Sequence, residues 1–237
     1  MASDVIKINI LCVDDDLDLR DVLSAQIRAA GYGCVHVGSA AAALKLLSDQ
    51  GMDIALVISD LSMPKADGLE FRQKMLENWA QIPFMLLTGF LSPEAKTRAE
   101  GLNVAAIIEK PYRAEVLYET IKRTAAPRIQ EIKDEHELLE GFLQDSKLNV
   151  EELEGLILDL AEVPSPQIFD RIFGNVHTLK GSSGFFHPQT LYRYTHRYED
   201  FLSKIKKGTI PVNNSVITTL LKGFDVLKNL LDLLGKR

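Results

Sequence analysis

Lys7-Ile8-Asn9-Ile10-Leu11-Cys12-Val13 runs straight into Asp14-Asp15-Asp16. The first part reads as a β-strand, and the amphipathic stretch that follows it, Leu17–Ala30, repeats apolar residues at helical spacing. The same alternation continues outward. Strands are expected at Gly33–Val37, Ile54–Ser59, Pro83–Thr88 and Ala105–Glu109, and helices at Ala40–Gln50, Leu69–Trp79, Pro93–Gly101 and Ala114–Thr124. Gly31, Gly51 and Gly101 serve as helix stop signals. Five strand–helix units in series predict an α/β fold with a doubly wound parallel sheet, and such sheets carry their sites at the carboxyl ends of the strands. Asp14 and Asp15 end the first strand, Asp60 the third, Thr88 the fourth and Lys110 the fifth. These polar residues should converge on one rim.

Pro127 lacks an amide donor and disfavours the α region at Ala126, so the last helix of this unit is expected to end there, dividing the chain into 1–126 and 127–237. Beyond it, Ile129, Ile132, Leu139, Leu143, Val150, Leu153, Ile157 and Leu160 form a stripe spaced three and four apart, with His136 and Ser146 in the gaps. That pattern predicts one long helix, with a break near Ser146–Asn149 as the plainer option. Its first turns would be a rigid connector, covered by the first unit or by a second chain in a homodimer. Three more helical stretches follow, Gln167–Phe185, Pro188–Lys207 and Asn213–Leu234. Four helices without strands predict a bundle.

The bulk numbers exclude several classes. Residues 1–126 carry 13 Lys and Arg against 17 Asp and Glu, and residues 127–237 carry 14 against 16, which gives no support to nucleic-acid or lipid-headgroup binding. The first apolar run stops at three aspartates, too short for a membrane span or signal segment, so the protein is expected in the cytoplasm. Cys12 and Cys34 have no Cys-x-x-Cys spacing and read as buried reduced thiols.

Carboxylates crowded at one rim repel by about 3–4 kcal/mol per charged pair at an effective dielectric near 20. A cation must sit among them. Lys110 supplies one charge, and hard oxygen ligands suit Mg²⁺. Taken together, Asp14-Asp15, Asp60-Leu61-Ser62-Met63-Pro64, Thr88-Gly89 and Lys110-Pro111 resemble the receiver domain of two-component response regulators over residues 5–125. The resemblance implies that Asp60 is the nucleophile that becomes an aspartyl phosphate. It further implies that Asp15, Asp60 and the Ser62 carbonyl hold Mg²⁺, with Asp14 acting through water, and that Thr88 and Lys110 engage phosphoryl oxygens. Phosphoryl transfer asks for just such parts, an in-line nucleophile, a divalent cation and fixed positive charge. Asp16 and Asp18 read as solvated first-turn residues. One departure is Ile107, where receivers often carry a tyrosine or phenylalanine that reports phosphorylation.

In the second half, His177-Thr178-Leu179-Lys180-Gly181 sits in a helical stretch, with Lys180, Gly181 and Gly184 on the face of His177. Two interior glycines cost roughly 1 kcal/mol each relative to alanine. The reason on offer is steric: small residues let another protein's pocket close over the imidazole, while Lys180 meets the phosphoryl charge. This motif, with His196 and Glu199 downstream, resembles histidine phosphotransfer domains of the type found at the N-terminus of chemotaxis histidine kinases, over residues 130–237. The resemblance implies that His177 is a phosphoryl acceptor and that Glu199 accepts a hydrogen bond from its imidazole, leaving the other nitrogen as nucleophile.

The combined expectation is a phosphorelay protein, not itself an enzyme, that takes phosphoryl groups from a histidine kinase or hybrid kinase and passes them to another receiver domain. No glycine-rich nucleotide motif occurs. A metal-dependent aspartyl-phosphate phosphatase is the rival from the enzyme class, since Asp14-x-Asp16 follows a strand, but it leaves His177 unexplained. A docking module with one inactive half is the other.

Overall fold

The computed structural model describes residues 6–48, 53–184 and 189–235. Two compact units divide between Asp134 and Glu135. In the first, five parallel strands, β1 (Asn9–Val13), β2 (Gly33–Val37), β3 (Ile54–Asp60), β4 (Phe84–Thr88) and β5 (Ala106–Glu109), line up in the order β2-β1-β3-β4-β5. Helices α1 (Leu17–Ala29), α2 (Ala40–Ser48), α3 (Gly68–Met75) and α4 (Pro93–Gly101) fall between them. The ends expected at Gln50 and Gly51 lie outside the described residues.

Alternation along the strands builds a core on each face of the sheet. Leu11, Val13, Val57, Phe84 and Leu86 pack on one side with Leu69, Phe71 and Met75 of α3, and Ile10, Cys12, Ile58, Met85 and Leu87 pack on the other with Leu23 and Ile27 of α1. Asp16 was expected in the first turn of α1 and instead precedes it, its carboxylate accepting from the amides of Asp18 and Leu19. Cys34 is only half-buried, its sulfur 3.5 Å from that of the buried Cys12, and both thiols are free.

The largest departure lies at Pro127. Helix α5 does not end there but runs unbroken from Ala114 to Glu162, with Pro127 inside it and no break near Ser146. A proline in a helix interior costs about 3 kcal/mol. Packing on either side outweighs that local preference: Ile121 and Ala125 before it and Ile132 after it are fully buried in the sheet's second core, with Ile129 packed against them. The early part of the stripe is therefore covered by the first unit.

The second unit is a bundle of α5's later turns with α6 (Pro166–Ser183), α7 (Gln189–Lys206) and α8 (Asn214–Leu234). Leu153, Ile157, Leu160, Ile172, Val176, Leu179, Leu202, Leu220 and Leu227 form its core, and Leu139 and Leu143 pack against it. Phe185 and Pro188, expected as ends of α6 and α7, lie outside the described residues. Tyr198 is buried between α7 and α8, its hydroxyl donating to the Leu220 carbonyl at 2.7 Å. Among the described residues no helix is long and apolar enough to cross a membrane.

Candidate functional site

Strand register alone brings the rim residues into one row. Val13 pairs with Ser59, Asp60 with Leu87, and Thr88 with Glu109, so Asp14, Asp60, Thr88 and Lys110 follow one another across four adjacent strand ends. Lys110 closes the row. Its Nζ lies 2.7 Å from Asp60 Oδ1 and 3.2 Å from Asp14 Oδ2. Burial alone would lower the Lys110 pKa, but the hydrogen bond to Asp60 and the two negative charges more than offset it and hold the ammonium above its ordinary value.

The other carboxylate oxygens are turned toward the backbone. Asp60 Oδ2 accepts from the Ser62 amide at 2.7 Å, and Asp14 Oδ1 from the Asp16 amide at 2.9 Å. Asp14 is buried, whereas Asp15 and Ser62 are exposed at the mouth. Thr88 is buried, and its hydroxyl donates to the Phe90 carbonyl at 2.7 Å. The structure thus joins Asp14, Asp60 and Lys110 directly and leaves Asp15 and Thr88 beside them. Ile107 packs into the core on the α3 side of the sheet.

Among the described residues no three histidine, cysteine, aspartate or glutamate side chains come together as a ready-made metal shell. The donors at the rim still fit Mg²⁺. That ion takes one or two carboxylates and keeps several waters, and here two hard carboxylates flank one amine beside the exposed Asp15 and Ser62.

Two side chains of α6 and one of α7 form a second arrangement. His177 Nδ1 lies 2.7 Å from Glu199 Oε1 on α7, and Lys180 Nζ lies 2.6 Å from Oε2 of the same carboxylate. Burial would raise the Glu199 pKa, but hydrogen bonds from Lys180 and His177 outweigh it and hold the carboxyl below its usual range. The hydrogen bond to Glu199 in turn raises Lys180. The His177 side chain is 65% exposed against 12% for Glu199, so an imidazole open to solvent is anchored by a nearly covered carboxylate. Among the described residues nothing requires glycine at position 181: a Cβ there would meet none of their atoms within 4 Å. His196 does not join this group; its Nδ1 lies 3.2 Å from Asp200.

Sequence reasoning overlooked Phe173. Its ring lies nearly parallel to the His177 imidazole, at an interplanar angle of 11° and a centroid distance of 6.3 Å. The signal was present in the four-residue spacing on one helix face.

Family comparison agrees with both arrangements. Residues 10–122 match the response regulator receiver domain, and residues 137–236 match the Hpt domain. The chain joins a receiver domain to an Hpt domain. The Hpt region is similar to chemotaxis protein CheA of Borreliella burgdorferi, 36% identical over 42% of this chain and 12% of that one. It is likewise similar to the sensor histidine kinase CheAY of Helicobacter pylori, 33% identical over 41% of this chain and 12% of that one. The transcriptional regulatory protein FixJ of Bradyrhizobium diazoefficiens is 28% identical over 65% of this chain and 76% of its own. The matches to CheA and CheAY span only about an eighth of either of those chains. Receiver and Hpt domains are phosphotransfer modules, and their pairing here supports a role in phosphorelay signalling.

Proposed function

We propose that Asp60 of the receiver and His177 of the Hpt domain are the phosphoryl acceptors of this chain. The observation that carries the reading is the Lys110 ammonium held between Asp60 and Asp14, 2.7 and 3.2 Å away, at the carboxyl rim of a parallel sheet. A carboxylate so placed can attack phosphorus in a donor phosphohistidine; the new P–O bond forms as the P–N bond breaks, and the donor imidazole takes up a proton. Lys110 would move with the charge to an equatorial phosphoryl oxygen, and the Thr88 hydroxyl would turn from the Phe90 carbonyl toward another. Asp15, Asp60 and the Ser62 carbonyl, with Asp14 behind them, would hold Mg²⁺, which supplies charge neutralisation when bound.

At the second site the Glu199 carboxylate keeps the proton of His177 on Nδ1, so Nε2 carries the lone pair that accepts phosphorus. Lys180 stands where it can meet the phosphoryl oxygens. The open space at Gly181 leaves room for a partner's pocket. We take the donor to be a histidine kinase or hybrid kinase and the acceptor another receiver, with the chain itself a transfer protein that works in the cytoplasm.

Phosphotransfer profiling against purified histidine kinases tests this reading. Label should reach the wild-type chain from at least one kinase and lose its receiver component in Asp60→Asn. Equal labelling of Asp60→Asn and wild type, with label recovered from the receiver in both, would refute the assignment.

A further inference from the structure

Glu199 alone does not set the orientation of His177. A single hydrogen bond to Nδ1 fixes one direction of the ring, and the imidazole is 65% exposed, so no wall of core residues fixes the rest. The second constraint comes from Phe173, one turn earlier on α6. Its ring lies within 11° of the imidazole plane at 6.3 Å, inside the separation at which offset aromatic pairs attract. Phe173 is itself held from two sides. It packs half-buried against the bundle core, and the Lys206 ammonium of α7 lies over its ring at 5.0 Å. Lys206 is in turn anchored 2.8 Å from Asp170, three residues before Phe173. Asp170, Lys206, Phe173 and His177 thus form a chain of contacts across the α6–α7 seam that does not pass through Glu199.

We propose that Phe173, braced by Lys206, is a positioning residue for phosphoryl transfer at His177. It supplies an offset, near-parallel neighbour that limits tilting of the imidazole, so that Nδ1 stays on Glu199 and Nε2 points outward. This rests on the reading of His177 as the acceptor. When Nε2 attacks phosphoramidate, the N–P bond forms as the donor's P–N bond breaks and ammonia leaves, and the positive charge developing on the ring falls on the Nδ1–H that Glu199 holds. A ring free to tilt or flip would present Nε2 less often, lowering the rate of the bound step and leaving donor binding alone.

The test uses the full chain carrying Asp60→Asn, so that only histidine is labelled, with potassium phosphoramidate as donor. Phe173→Leu keeps apolar bulk in the core, Phe173→Tyr keeps the ring, and Lys206→Met removes the brace from an exposed position. Two readouts are taken: the tautomer ratio of His177 from ¹⁵N chemical shifts, and the labelling rate against donor concentration. Phe173→Leu should shift the ratio toward the free-imidazole mixture and cut the maximal rate about two- to tenfold with unchanged half-saturation. Phe173→Tyr should restore both, and Lys206→Met should fall between. A wild-type tautomer ratio in folded Phe173→Leu would overturn the proposal. If the ratio moves with Phe173 while wild-type His177 takes no label, the acceptor reading fails and the positioning stands.

Discussion

His177 Nδ1 and Glu199 Oε1 lie 2.7 Å apart, and that contact assigns different jobs to the two imidazole nitrogens. Glu199→Ala should slow labelling of His177 by phosphoramidate about ten- to hundredfold, as expected for a lost hydrogen bond to a charged group, while circular dichroism stays that of the wild type. The contact also has a pH signature. Because the Glu199 carboxyl is held low, its stabilisation is complete above the unfolded carboxylate value and is lost as pH falls through the lowered one. Lys180 works at the other end, its share disappearing as pH rises through its raised value. Urea unfolding from pH 7 to pH 3 should show a steeper loss in wild type than in Glu199→Gln. Identical pH profiles would remove this charge cluster from the account.

Pro127 sits exposed inside α5, where it removes a helical hydrogen bond. Pro127→Ala should therefore stabilise the receiver unit by roughly 1–3 kcal/mol in urea denaturation. A neutral or destabilising result would mean that the chain is not helical through this residue.

Two glycines should respond in opposite ways. A Cβ on Gly223 would run into the buried ring of Tyr198, so Gly223→Ala should cost about 1–3 kcal/mol of bundle stability. At Gly181 the space is open, and Gly181→Ala should gain up to about 1 kcal/mol from helix propensity. The same change should slow transfer from a phosphorylated protein donor, yet leave labelling by phosphoramidate untouched. Loss of both activities together would place the glycine's role inside the domain.

The two cysteines should differ sharply in reactivity. The hydrogen bond from Cys12 brings the Cys34 thiol down to about 7, against the opposing effect of burial and with help from Ser24 and Arg28. Cys12 is fully buried and pushed up. Iodoacetamide should modify Cys34 alone, with a rate midpoint near pH 7 that moves upward in Cys12→Ala. Modification of Cys12 first would contradict the arrangement.

Much of this molecule was legible because buried parallel strands leave a strong local imprint. β2 and α4 lie at the residues expected, Gly33–Val37 and Pro93–Gly101, and the rim row follows from strand order once the sheet is parallel. Pro127 was misleading for a physical reason: a local backbone penalty of a few kcal/mol is outweighed by burying Ile121, Ala125 and Ile132 on one face, which no local rule sees. Asp16 was read one position too far inward, since a cap and a first-turn acid share the same residue types. The stacking of Phe173 on His177 was overlooked because an apolar residue one turn from a histidine usually reads as core.

The most direct test of the central claim is site mapping of the phosphoryl groups. Protein treated with phosphoramidate and Mg²⁺ is digested and sequenced by tandem mass spectrometry under alkaline and under acidic conditions. Label is expected on Asp60 that disappears in alkali and never forms with EDTA, and on His177 that survives alkali and disappears in acid. Label on Asp14, Asp15 or His196, or label persisting in the Asp60→Asn, His177→Gln double variant, would contradict it.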